Sequence, residues 1–95
     1  MKREIYVLKF NPGIELQEVE NSLVLSLLAT ENLHGEAVMR LDAHHTFDQV
    51  SRKCVIETGN DVGRDLAKIF VGFLNREFGP DGFTVQRVMK TSAIA

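Results

Sequence analysis

Asp42, His44, His45 and Asp48, with His34 upstream, form the densest gathering of potential metal ligands in the chain. If the backbone there is extended, Asp42 and His44 share a face at two-residue spacing and can approach one ion, whereas His45 points the other way. Neither a C-x2-C pair nor an H-E-x-x-H helix accompanies them. Two histidines at the surface end of a strand is the reading the spacing favours, and no metal or cofactor is assigned.

A second candidate is T-G-N-D-V-G-R-D at residues 58–65. Glycines at a strand-to-helix junction expose backbone N–H groups that attract anions. A P-loop, however, needs four residues between its glycines and then Lys and Ser/Thr. Here three intervene, Arg64 and Asp65 follow, and two aspartates repel an anion. Asn60 or Asp61 is therefore expected to cap the helix, with Arg64 kept as the one candidate anion contact. The single cysteine, Cys54, cannot form an internal disulfide, and beside Ile56 it reads as an inert core thiol. Ser22, Ser26 and Ser51 have no local His–acid context, so no catalytic residue is assigned and the balance leans away from an enzyme.

Positioning these residues requires a scaffold. Residues 4–10 (EIYVLKF) read as a central strand, apolar on both faces and stopped by Asn11-Pro12-Gly13. Asn11 is placed either to cap the next helix or to hold a separate turn. Leu16, Val19, Leu23 and Leu27 then repeat at helical spacing up to His34-Gly35. Residues 36–44 alternate, with Ala37, Met39, Leu41 and Ala43 against Val38, Arg40, Asp42 and His44, which predicts a half-buried strand. A polar loop over 45–51 and a strand over 52–58 follow. The second helix carries an inner stripe of Val62, Leu66, Ile69, Phe70 and Phe73 and ends at Gly79-Pro80. A second apolar stripe on it, Ala67, Val71, Leu74 and Phe78, is wider than a two-layer domain needs and suggests contact surface. Residues 83–88 are the last strand, and 90–95 a flexible tail.

The chain has 95 residues, 44% apolar and 25% charged, with net charge −2, which fits one small globular domain over 1–95 and excludes a disordered or low-complexity protein. The longest apolar run, residues 23–29, is too short to span a membrane, and nothing resembles a signal peptide, so no membrane association and a cytoplasmic location are expected. The order β-α-β-β-α-β is the plan of the ferredoxin-like α+β fold, a four-stranded antiparallel sheet with two helices on one face. That plan leaves the other face open. It is expected to present Val38, Arg40, Asp42, His44, Lys53, Val55 and Glu57, joined by one face of the first strand and by Thr84, Gln86 and Val88. An apolar middle ringed by charge is unusual for a solvated face. The expectation is a non-enzymatic binding or interaction module, homodimeric or docking another protein there. The alternative is a small enzyme or ligand-sensing domain with a small-molecule site near Arg40, Asp42, His44 and Glu57.

Ile5-Tyr6-Val7 resembles the start of the RNP2 strand of RRM domains, in which strand aromatics stack on bases. That resemblance implies a stacking role for Tyr6. The third strand, R-K-C-V-I-E, has none of the glycines and aromatics of RNP1. With an acidic chain besides, nucleic-acid binding ranks third.

Overall fold

The computed structural model describes residues 2–91. Its elements are β1 (Lys2–Phe10), α1 (Leu16–His34), α2 (Glu36–Asp42), β2 (His45–Asp48), β3 (Lys53–Glu57), α3 (Asp61–Phe78) and β4 (Phe83–Thr91). The four strands form one sheet in the order β2-β3-β1-β4, antiparallel at every pairing. With helices packed on one face, this is the ferredoxin-like α+β fold expected from the sequence. Among the described residues no helix is long and apolar enough to cross a membrane.

The core lies between sheet and helices. Leu8 and Phe10 of β1, Cys54 and Ile56 of β3 and Phe83 of β4 meet Val19 and Leu23 of α1 and Leu66, Phe70 and Leu74 of α3. Phe10 is the hub, its ring centroid 6.2 Å from that of Phe47 and 6.5 Å from that of Phe70, within the range of favourable aromatic pairs. On α1 a second buried stripe is hydroxylic: Ser22, Ser26 and Thr30. The hydroxyls of Ser26 and Thr30 each donate to the carbonyl four residues back at 2.7 Å. Satisfied on their own helix, they bury without an unpaired polar atom, and their small size lets α1 lie close to α3.

Residues 36–44 depart from expectation. Residues 36–42 form helix α2, and after Ala43 and His44 the strand lies one step later, in the segment read as loop. Over seven residues the two periods are hard to tell apart, and Glu-Ala-Val-Met-Arg-Leu-Asp contains only one β-branched residue against several strong helix formers. Gly35, at φ +88°, makes the corner between α1 and α2 that a side chain would resist. Asn11 holds a separate turn instead of capping α1: its Nδ2 donates to the Asp81 carbonyl at 2.6 Å.

On α3 the inner stripe is Val62, Leu66 and Phe70 together with Gly63, Ala67 and Leu74. Ile69 and Phe73, expected inside, are only half-buried. Ala67 and Leu74 of the supposed surplus stripe belong to the core, and the partly buried Val71 and Phe78 pack against it, so the stripe is taken up by the domain's own packing. Lys90 and Thr91, read as tail, extend β4 through a register that runs unbroken from Lys2↔Thr91 to Phe10↔Phe83. The rest of the expected tail, 92–95, lies outside the described residues.

Candidate interaction surface

Strand pairing fixes which side chains share a face, because residues directly opposite one another point the same way. Tyr6 pairs with Ile56 and Leu8 with Cys54; Ile56, Leu8 and Cys54 are all fully buried under the helices. Tyr6 therefore lies on the helix side, packed against the core. The open face carries Arg3, Ile5, Val7 and Lys9 of β1, Lys53, Val55 and Glu57 of β3, Thr46 and Asp48 of β2, and Thr84, Gln86, Val88 and Lys90 of β4.

The middle of this face is an aliphatic ridge. Ile5 is only 3% exposed although no described helix covers it, because Glu57 and Val88 flank it on the neighbouring strands. Val7, Val55 and Val88 are half-buried beside it. Around the ridge stand Arg3, Lys9, Lys53 and Lys90 against Asp48 and Glu57, so basic groups predominate. The α1 side of the helix layer is the reverse: from residue 10 to residue 39 there is no Lys or Arg, while Glu15, Glu18, Glu20, Glu31 and Glu36 all occur, and α3 is balanced, with Arg64, Lys68 and Arg76 against Asp61, Asp65 and Glu77. A chain of net charge −2 is thus polarised across its two layers. Composition alone hides this.

Toward β2 the face dips into a shallow depression of about 430 Å³ lined by Arg3, Glu57, His44, His45, Thr46 and Val55. Arg3 and Glu57 form an ion pair across its floor, Nη2 to Oε1 2.5 Å. His44 Nε2 lies 3.0 Å from the Leu41 carbonyl and so carries the proton when the ring is neutral. The pKa of His45 is lowered, chiefly because partial desolvation at this largely exposed position penalises the charged ring and secondly through His44.

Lys53, Val55 and Glu57 thus lie on the open face, with His44 at its rim, as expected. Val38, Arg40 and Asp42 do not, because helix α2 carries them into the helix layer. Arg40 pairs with Glu36 one turn earlier at 3.4 Å, and the Asp42 carbonyl accepts from Asn60 Nδ2 at 3.0 Å. Arg40 lines a different depression, with Leu27, Met39 and Ala43, so Arg40 and Asp42 do not converge with Glu57 on one site. The sequence reading missed Arg3 and Thr46, for which only the β1 phase and the position of β2 could have served.

The other candidate chemistry is accounted for locally. Arg64 pairs with Asp61 on its own first turn and reaches the Thr58 carbonyl at 3.4 Å, so its guanidinium is committed within the chain. Asn60 is the N-cap, accepting from Gly63 N at 2.7 Å. His34 bonds Asp65 at 2.7 Å, tying the end of α1 to α3. Burial pushes the Cys54 thiol up to about 12, far from a reactive thiolate. Among the described residues no three His, Cys, Asp or Glu side chains are placed to hold a metal ion.

No family model matches the chain. No curated protein matches it either. Among solved structures, the X-ray structure of protein SP2199 from Streptococcus pneumoniae is similar over 97% of this chain and 89% of its own, at 10% identity and a TM-score of 0.44.

Proposed function

We propose that the chain is a non-enzymatic binding module that takes an acidic protein partner on its open sheet face. The carrying observation is the aliphatic ridge of Ile5, Val7, Val55 and Val88 inside a ring dominated by Arg3, Lys9, Lys53 and Lys90. An apolar centre with a charged rim is the anatomy of a protein interface, and the sign of the rim selects a partner of opposite charge. A face-to-face homodimer, one form expected from the sequence, would set two basic rims against each other and fits less well. All seven aromatic rings lie on the helix side or on α3, so the open face offers no base-stacking platform and RNA is not favoured. A buried free thiol suits a reducing compartment, and we place the module in the cytoplasm.

The second reading, a small-molecule site, is favoured by the depression where Arg3, His44 and Glu57 meet. It no longer includes Arg40 or Asp42.

Affinity capture from host cells with quantitative mass spectrometry tests the first reading. Wild type is compared with Lys9→Glu/Lys53→Glu and with Lys68→Glu/Arg76→Glu on α3. An acidic interactor is expected to fall by about tenfold or more with the face variant, since like-charge contacts cost over about 1.4 kcal/mol, and to be retained by the helix variant. Interactors equally retained by both variants overturn it.

A further inference from the structure

We infer that the edge of β4, which no other described strand pairs, is a self-pairing surface, joining two copies of this chain through antiparallel β4–β4 contacts into one eight-stranded sheet. The backbone directions follow from the hydrogen bonds at the ends of β1. Thr58 N donates to the Glu4 carbonyl and Phe10 N to that of Arg52, so even-numbered β1 residues turn toward β3. Odd-numbered ones turn toward β4, where Asn11 N donates to the Gly82 carbonyl. Their partners Thr84, Gln86, Val88 and Lys90 therefore bond to β1, and Val85, Arg87 and Met89 direct N–H and C=O away from the sheet. This edge is nine residues long, without proline or break in register. The opposite edge, β2, has four residues. Long, regular edges are what monomeric proteins avoid. Val85 and Met89 are also 42% and 55% exposed on the helix side, where no described helix reaches over them.

A second copy fits because one register satisfies the strand with itself. A two-fold axis perpendicular to the sheet keeps both helix layers on one side and both open faces on the other. Centring it on Arg87 would oppose two guanidinium groups, which is destabilising. Centring it on Gln86 sets Arg87 against Val85 of the second copy and pairs the two Gln86 amides. It also brings Met89 to Phe83, and Lys90 beside the turn that carries the exposed Asp81 of the other copy. Of these two registers, charge therefore favours the one centred on Gln86.

Purified protein alone tests this, independently of any partner on the open face. Sedimentation is expected to show a reversible dimer, weakened about tenfold or more by Val85→Pro, whose N–H has no partner among the described residues of the protomer. Met89→Lys, which leaves the backbone intact, is expected to weaken it likewise and guards against a misfolded proline variant. Opposed residues at a non-hydrogen-bonded position have Cα atoms about 4.5 Å apart, within disulfide reach. Gln86→Cys is therefore expected to cross-link under mild oxidation and Thr84→Cys is not. A wild-type monomer at all concentrations, or a dimer indifferent to both Val85→Pro and Met89→Lys, overturns the pairing.

Discussion

Gly63 sits where α3 begins its run across the sheet, and its replacement by alanine measures how close that approach is. A Cβ there would lie 1.8 Å from the Glu57 carbonyl oxygen, 2.9 Å from its carbon and 3.2 Å from Thr58 Cα. All three are backbone atoms of β3 and its continuation, so no side-chain rotation relieves the overlap. Reaching even a tight contact of about 3 Å moves the helix start by more than about 1 Å, well beyond what close-packed interiors absorb. The movement would strain the Asn60 cap at 2.7 Å and its bond to the Asp42 carbonyl at 3.0 Å, and lift Val62 and Leu66 off the sheet. Overpacking of this kind costs about 3 kcal/mol or more. The helical preference for alanine over glycine returns about 1 kcal/mol. Gly63→Ala is thus expected to lose about 2 kcal/mol or more, and about 10 °C of melting temperature. Gly72 lies in the same helix with nothing within 4 Å of its would-be Cβ, so Gly72→Ala is expected to gain about 0.5–1 kcal/mol. Urea unfolding followed by circular dichroism reads both, with unchanged m-values showing that stability alone moved. A Gly63→Ala protein as stable as wild type would refute the close approach, and with it the packing role given to a glycine that sequence spacing hinted was a phosphate loop.

Arg52 adopts a left-handed φ of 55° while its guanidinium donates to the Phe10 carbonyl at 3.3 Å, the Asn11 carbonyl at 2.6 Å and the Ile14 carbonyl. Arg52→Ala keeps the backbone strain and loses the clamp, about 1–2 kcal/mol; Arg52→Gly relieves about 1 kcal/mol of strain. The expected order of stability is therefore Arg, Gly, Ala, and chemical denaturation showing Ala at or above Gly contradicts it. His45 titrates below its ordinary value in the folded chain, so the unfolded chain binds the proton first and stability falls as pH drops through about 6.5. Wild type is expected to lose more stability than His45→Gln between neutral and mildly acid pH; parallel profiles from melts across that range contradict the shift.

The fold was legible because its punctuation was strong: Asn11-Pro12-Gly13, His34-Gly35 and Gly79-Pro80 bracket the long helices close to where they lie. The segment from Glu36 to Asp48 was not. A half-exposed seven-residue helix also reads as an alternating strand, and the four-residue β2 offers only Phe47 as an inward anchor. That exchange moved Val38, Arg40 and Asp42 off the surface they were expected to build. The β3 half survived because Cys54 and Ile56 alternate unambiguously with Lys53, Val55 and Glu57. The phase of β1 was illegible in principle: Ile5 and Val7 match Tyr6, Leu8 and Phe10 in apolarity, since the ridge on the open face is itself buried in part. The charge polarity needed the pairing register, because no local window brings Arg3 to Lys90 or Lys9 to Lys53.

The structure also leaves Val24, Leu25 and Leu28 on the outer side of α1, each more than half exposed, so two apolar surfaces compete as the place where a partner docks. One measurement separates them: a photo-reactive benzophenone side chain placed in living cells at Val55 on the open face, or at Leu25 on α1. Cross-linking of an acidic protein from position 55 and not from position 25 is the predicted result. Adducts from position 25 with none from 55 would contradict the assignment of binding to the open sheet face.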